Sequence, residues 1–443
     1  MAERNRSLKK NNISLAEGIL FVIGSTIGSG IFLKPTVVLD GMGSTTGALL
    51  MWILGGLITL CAALSIAELA AYIPKVGGLY TYLVELYGKT TGFLYGWVEA
   101  VVLSPGSAAA LAIAFATFST YFLPMEEREL KLTAILVIAV ISSAQIISTR
   151  FGIWIQTLST LGKMVPVLAI ILFGAFHESV GKGLNEDLIG TGTGTAAALL
   201  GVLWAYDGWL NICTLGGEMK RSERNLPVAI ITGVLAVTAV YIAFNLTVFH
   251  VLTGEEAMRT DKIGVDAATA LFGSGATVLI TIGMMLSAFG SLNAQIASGT
   301  RVAFAMGERN QLPGAALLRS INPDLDTPVN SLIFETLLAV IYVLSGTFHQ
   351  ITDLVIFVIW IFFTLGILGV FVLRRKAPRR RNLYRVPLFP VIPALGAAGG
   401  IYLMYVTVRD SFQSVVLGGI LMFLGLGIYR CFLSHPGTGN RNS

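Results

Sequence analysis

Two short stretches carry the residues best suited to chemistry, and each lies inside a long apolar run. The first is Gly24-Ser25-Thr26-Ile27-Gly28-Ser29-Gly30-Ile31-Phe32, the second Trp204-Ala205-Tyr206-Asp207-Gly208-Trp209. Glycine weakens a helix interior by about 1 kcal/mol relative to alanine, so the glycine cluster 24–30 favours an opened helix. Backbone opened in hydrocarbon leaves N–H and C=O groups unpaired, which is tolerated only where they line a polar cavity or meet a ligand. The second stretch sets an acid, Asp207, beside a glycine. The glycines alone could instead be a close-packing face for a neighbouring helix. Asp207-Gly208 at the matching place in a second run argues for a pair of breaks.

Such a pair has a definite chemistry. Opening the first run leaves the amides of Ser29, Gly30 and Ile31 heading its outer half, and free donors at a positive dipole end suit a carboxylate. The inner half ends in carbonyls near Ser25 to Ile27, and the second run supplies more near Trp204 to Tyr206. Carbonyls at a negative dipole end suit an ammonium group. A carboxylate and an ammonium a few ångströms apart describe an α-amino acid. The main chain around Ile27, Gly28, Ser29, Gly30 and Ile31, and around Trp204, Ala205, Tyr206, Asp207 and Gly208, is therefore the expected binding surface.

Other polar residues stand within apolar runs. Lys163 is too deep to reach water easily, and a lysine at mid-membrane costs at least about 2.5–3.5 kcal/mol, so it must meet acceptors or snorkel to a boundary. Glu68 and Glu99 are either proton-relay groups or partners of nearby arginines and lysines. Glu218 reads as part of a gate at the inner surface. Trp204 on its own reads as an ordinary core or interfacial tryptophan. Asp207 could attract a cationic side chain, assist an amine, or cap a half-helix. Tyr241, Asn293 and Trp360 cannot be oriented in a chain apolar on every side.

Enzyme chemistry is not expected. His177, His250, His349 and His435 are scattered over loops and span ends, and no HExxH, GxSxG or paired intramembrane aspartates accompany them. Cys61, Cys213 and Cys431 lie in apolar segments without metal or redox spacing, so they read as small core residues. No metal and no cofactor are expected. A channel would want a ring of charge or a repeated pore loop, and neither is present.

The elements that hold these residues follow from composition. Of 443 residues 54% are hydrophobic and only 12% charged, against about 25% charged in a soluble domain, so the lipid bilayer must solvate most of the chain. A span needs about 20 apolar residues. Twelve candidates lie at 15–39, 46–72, 91–122, 132–148, 151–176, 194–217, 227–253, 273–302, 328–346, 351–373, 387–407 and 411–433. The first follows a basic tail and ends in no cleavage site, so it reads as a span and not a signal peptide. Lysine and arginine concentrate on one side. With the N-terminus inside, that side holds Arg4, Arg6, Lys9 and Lys10, then Lys220, Arg221 and Arg224, and the run 374–381, RRKAPRRR. The positive-inside rule makes both termini cytoplasmic, in an inner cell membrane. The run 374–381 resembles a nucleic-acid patch, but its place at a span boundary fits topology and anionic lipid, so no nucleic acid is expected.

Interrupted spans at corresponding places in two halves mark a transporter site at a repeat interface. The expected organisation is a tail 1–14, a first repeat 15–176, an inverted second repeat 194–373, two further helices within 387–433, and a tail 434–443.

At these residues the sequence resembles the L-type amino acid transporter family of the amino acid–polyamine–organocation superfamily, along essentially its whole length. GSTIGSGIF (24–32) is similar to the family's first-helix motif, and AEL…IPKVGGLYTYL (67–83) to its second-helix exit and first inner loop. WAYDGW (204–209) with GGEMKRSERNLPVAI (216–230) resembles helix six and the loop behind it. FGSLNAQIASGTRVAFAMGERNQLP (289–313) resembles helix eight. The nearest likeness is to bacterial members, which include serine/threonine and alanine/serine exchangers. The resemblance implies an all-α membrane protein of twelve helices with the leucine-transporter fold: two inverted five-helix repeats plus two extra helices. It implies alternating-access, sodium-independent exchange of L-amino acids, here small neutral ones (serine, threonine, alanine). Cationic or broad-range substrates using Asp207, or proton coupling, are the alternatives. It also implies that Trp204, just before the second break, covers the bound substrate, and that Lys163 stands where sodium-coupled relatives hold their ion, with Ser287 and Ser291 the matching helix-eight hydroxyls. Animal relatives join a heavy subunit through a cysteine between spans three and four. The corresponding segment here, 123–131, has none, so no disulfide-linked partner is expected.

Overall fold

The computed structural model describes residues 13–177, 194–260, 263–273, 275–345, 348–378, 380, 382–410 and 412–430. Most of the first tail and all of the second lie outside these, with Arg4, Arg6, Lys9, Lys10, Lys182, Lys262, Arg379, Arg381, Cys431, His435 and Arg441. The side chain of His349 is likewise outside the description.

Among the described residues every regular element is a helix. In order they are α1 (Leu15–Thr26), α2 (Gly30–Met42), α3 (Thr45–Tyr72), α4 (Gly78–Tyr87), α5 (Lys89–Val98), α6 (Ser104–Ser119), α7 (Glu127–Ile147), α8 (Thr149–Gly174) and α9 (Thr195–Ala205). There follow α10 (Asn211–Thr214), α11 (Ser222–Val251), α12 (Gly254–Met258), α13 (Ile263–Phe272), α14 (Ala276–Glu308) and α15 (Ala315–Leu318). The last are α16 (Val329–Ser345), α17 (Phe348–Lys376), α18 (Val391–Asp410) and α19 (Phe412–Ile428).

Eight stretches are long and apolar enough to cross a membrane: α3, α5 with α6, α7, α8, α11, α14, α17 and α18. The interrupted pairs α1–α2 and α9–α10, with α16 and α19, bring the crossing segments to the twelve of a leucine-transporter fold. Local signals set several boundaries. Ser14 opens α1 with a capping box: Glu17 N donates to Ser14 Oγ at 3.3 Å and Ser14 N to Glu17 Oε2 at 2.8 Å. Ser44 caps α3 by accepting from Gly47 N at 3.1 Å.

Two features lie beyond what the hydropathy pattern can show. The third span crosses as one helical stretch, Lys89–Ser119, but carries a π-helical turn, Glu99–Leu103, between α5 and α6. Such a turn widens the backbone and is often found at functional sites. The connections also hold structure that the hydropathy pattern missed: α4 and α15 on one side, α12 and α13 on the other. These are too short or too polar to register as spans.

Helix α8 shows how lipid and protein divide one helix between them. Trp154, Leu158, Leu161, Val165 and Leu172 are exposed, spaced three to seven residues apart, as a lipid-facing stripe requires. Gln156, Ser159, Thr160 and Lys163 share the opposite, buried face. Polar residues inside and apolar residues outside is the pattern for a helix whose solvent is hydrocarbon. The same face sets Lys163 against α1 and α14, with which α8 packs. Around it, α1, α3, α9 and α11 pack as one group and α6, α7, α14 and α16 as another.

Candidate functional site

The first interruption covers Ile27, Gly28 and Ser29, between the end of α1 and the start of α2. Ile27 N still reaches Ile23 O at 2.8 Å, but Gly28 N turns back to Thr26 O at 2.8 Å. The first bond of the new half-helix is Phe32 N to Ser29 O at 3.1 Å. The amides of Ser29, Gly30 and Ile31 precede that bond, so no helical carbonyl reaches them. The second interruption runs from Tyr206 to Leu210, between α9 and α10.

The two breaks lie against each other. Ser25 Oγ donates to Gly208 O at 2.9 Å. Gly208 has φ +107°, and a Cβ there would strike the Ser25 carbonyl oxygen, so the position demands glycine twice over. Gly30 is similarly closed: a Cβ would come within 2.9 Å of Ala205 Cα. A residue that could not be oriented from sequence, Tyr241 of α11, joins the breaks. Its buried hydroxyl lies 3.0 Å from Thr26 O and 2.7 Å from Ala205 O. One phenolic proton is thus shared between two helix ends.

Lys163, Ser287 and Ser291 come together on the last carbonyls of α1. Lys163 is fully buried, and its Nζ donates to Gly24 O at 2.6 Å and Ile27 O at 2.5 Å. Ser287 Oγ reaches Ile27 O at 3.1 Å and Ser291 Oγ reaches Gly24 O at 3.4 Å. An ammonium at the negative end of α1 satisfies both the helix dipole and the orphaned carbonyls. These bonds refine the expected ammonium-binding set. Thr26, Ile27 and Ala205 carbonyls are already engaged, whereas no donor among the described residues reaches Ser25 O or Tyr206 O.

The remaining expected residues divide by direction. Trp204 is half-buried, with Gly30 at its edge and Lys34 Nζ 4.7 Å from its ring centroid. Tyr206 turns its side chain away from the breaks, giving its hydroxyl to Trp52 O at 3.3 Å. Asp207 is exposed to a small cavity of about 30 Å³, whose wall includes Glu99, Tyr95, Asn211, Gln295 and Phe363. Residues 27–31 do not line that cavity. Its volume is that of about two waters, so entry of anything larger requires the walls to part.

The acids fare differently from one another. Glu68 is buried and paired: Arg374 grips both its oxygens at 2.9 and 2.8 Å, and Val386 N adds a third bond at 2.8 Å. That favours the ion-pair reading over the relay. Glu99, in the π turn, forms no ion pair among the described residues. Sequence reading overlooked Glu335 of α16, which is fully buried beside Gly299 and Ser104. Neither of its carboxyl oxygens has a hydrogen-bond partner among the described residues. A lone acid inside an apolar run, Val329–Ser345, was the available signal. Glu218 pairs with Arg301 at 2.9 Å, both buried, and Arg301 also donates to Thr149 Oγ1 at 3.1 Å. This network ties the α10–α11 link to α14 and α8. Asn293 lies in a second polar knot, donating to Gly152 O and Gln156 Oε1 at 3.0 and 3.1 Å. Trp360 is buried, its ring 5.7 Å from that of Phe363.

Comparison with known sequences adds an independent line. The sequence model of one family, described as amino acid permease, matches residues 13–423. The chain is 38% identical over 432 residues to a serine/threonine exchanger, SteT, of Bacillus subtilis (strain 168), covering 97% of this chain and 98% of that one. It is 30% identical over 402 residues to a b(0,+)-type amino acid transporter 1 of Mus musculus, covering 88% and 82%. It is 28% identical over 433 residues to a cystine/glutamate transporter of Pongo abelii, covering 96% and 85%.

Proposed function

The chain belongs to the amino acid permease family, a family of membrane transporters and not enzymes, and from that premise we propose that it exchanges small neutral L-amino acids without sodium. The observation that carries the reading is the meeting of two interrupted helices, where the amides of Ser29, Gly30 and Ile31 are free of helical partners while the Ser25 and Tyr206 carbonyls accept no bond from the described residues. A substrate carboxylate would take the amides and its ammonium the carbonyls. Ile27, Gly28, Trp204, Ala205, Asp207 and Gly208 complete the site, with Trp204 as its cover. Lys163, with Ser287 and Ser291, supplies side-chain donors to the carbonyls at the end of α1. That supports independence from a metal ion. The printed name of the Bacillus relative supports serine and threonine as substrates and exchange as the mode.

The same proposal divides the chain into repeats 15–176 and 194–373 followed by helices within 387–433. It places the lysine- and arginine-rich end in the cytoplasm of a cell membrane, termini included. It involves no disulfide-linked heavy subunit, since 123–131 lacks cysteine.

The test is uptake of labelled serine into proteoliposomes, with and without internal amino acid, in sodium-free buffer. Internal serine should stimulate uptake, unlabelled threonine and alanine should compete, and sodium should change nothing. Uptake that needs sodium, or that ignores internal amino acid, would overturn the proposal. A second reading takes cationic substrates, because the cavity wall holds two carboxylates, Asp207 and Glu99, and no basic residue. Arginine or lysine competing better than serine would establish it.

A further inference from the structure

A pocket of about 530 Å³ opens between the base of α1 and the first turns of α11, lined by Leu15, Lys220, Arg221, Arg224, Asn225 and Val228. Half of its wall is cationic and none is acidic. None of the three cations forms an ion pair among the described residues. The nearby Glu17 is not part of the wall; it pairs with Arg150 at 3.3 Å and accepts from the Ser14 amide, and it lies close enough to Lys220 to feel its charge without forming an ion pair with it. Glu223 belongs to the same helix turn but is not part of the wall. The sequence before Ile13 holds Arg4, Arg6, Lys9 and Lys10 against one acid, Glu3, so that segment is itself net positive. Arg221 itself holds φ +46°, a conformation that side-chain-bearing residues rarely adopt. Backbone of that kind tends to persist where a local function requires it.

We propose that this pocket binds the phosphate of an anionic membrane lipid, with Lys220, Arg221 and Arg224 around the headgroup and Leu15 and Val228 against its glycerol and acyl carbons. The ligand chemistry is a phosphate oxyanion, and the position selects a lipid as its source. Val228, Leu235 and Leu246 are all exposed, and their spacing puts them on one face of α11. That apolar face runs straight out of the pocket, so the cations stand where hydrocarbon gives way to headgroups. Basic pockets between spans at this level are suited to anionic headgroups, and attraction falls off within a Debye length of the surface. The site lies away from the substrate breaks. It also touches the stitch by which Lys220 N bonds Ile13 O at 2.9 Å, so an occupant spans α1 and the α10–α11 link.

The experiment uses the full chain in phosphatidylcholine vesicles with a trace of spin-labelled phosphatidylglycerol or spin-labelled phosphatidylcholine. Wild type should immobilise the anionic probe in preference to the neutral one. Lys220→Gln/Arg221→Gln/Arg224→Gln should abolish the preference, with single variants losing roughly fivefold each. The charge-conserving Lys220→Arg/Arg221→Lys/Arg224→Lys should retain it, which separates charge from folding. Arg375→Gln/Arg380→Gln removes charge from the same end outside the pocket and should leave the preference intact. Equal loss in that control, or no loss in the triple variant, overturns the site. Excess inorganic phosphate should fail to displace the probe, and full displacement would overturn the lipid assignment.

Discussion

Replacing Lys163 with methionine keeps most of the side-chain volume and removes only the ammonium. In the native protein that group makes two charge-assisted bonds, to Gly24 O at 2.6 Å and Ile27 O at 2.5 Å. Bonds of this kind contribute about 1.5–3 kcal/mol each. Ser287 and Ser291 remain on the same two oxygens in the variant, so the lower end of that range applies to each bond. The total is about 3 kcal/mol, or roughly a hundredfold in the population of the ordered break. Transport that depends on this geometry should fall by about the same factor. The assay is initial-rate serine exchange in proteoliposomes, normalised to protein inserted and checked for monodisperse elution. Lys163→Ala should behave likewise, and adding a cavity should not improve it. A methionine variant that exchanges at most of the wild-type rate would show that the α1 end holds its shape without the lysine, and the reasoning would fail.

The phenol of Tyr241 shares one proton between Thr26 O and Ala205 O, so Tyr241→Phe should lose about 0.5–1.5 kcal/mol of coupling between the breaks, read as a lowered exchange rate at unchanged abundance. If exchange is unaffected, the bridge has no role in the cycle. Gly208→Ala places a methyl group against the Ser25 carbonyl at a positive φ, and exchange should be lost while Gly275→Ala, where a Cβ meets nothing, stays active. Glu218→Gln leaves Arg301 buried without its counter-charge, a change worth about 3–5 kcal/mol, and should shift the protein toward opening at that end. Cysteine accessibility of positions lining the 30 Å³ cavity reports it, and unchanged labelling would remove Glu218–Arg301 as a gate.

The membrane character, the number of crossings and the places where two of them come apart were all legible in the sequence. Each rests on local properties: apolar length matched to hydrocarbon, and glycines whose cost in a helix is felt within one turn. Lys163 could be singled out for the same reason, since a lone cation in an apolar run needs acceptors wherever the chain folds. Tertiary structure alone decided which acceptors. Gly24 and Ile27 carbonyls go to Lys163, Thr26 and Ala205 carbonyls to Tyr241, and Ser25 and Tyr206 carbonyls meet no donor among the described residues. Nothing local distinguishes these oxygens, because consecutive residues offer identical carbonyls. The difference comes from side chains that reach from α8, α11 and α14, more than a hundred residues away in most cases. Glu68 and Glu335 make the same point: both are acids in apolar helices, yet one meets Arg374 across the fold and the other meets no basic residue among the described ones. Hydropathy measures the solvent a segment prefers, whereas a buried polar group is defined by its partners, and those are set only when helices pack.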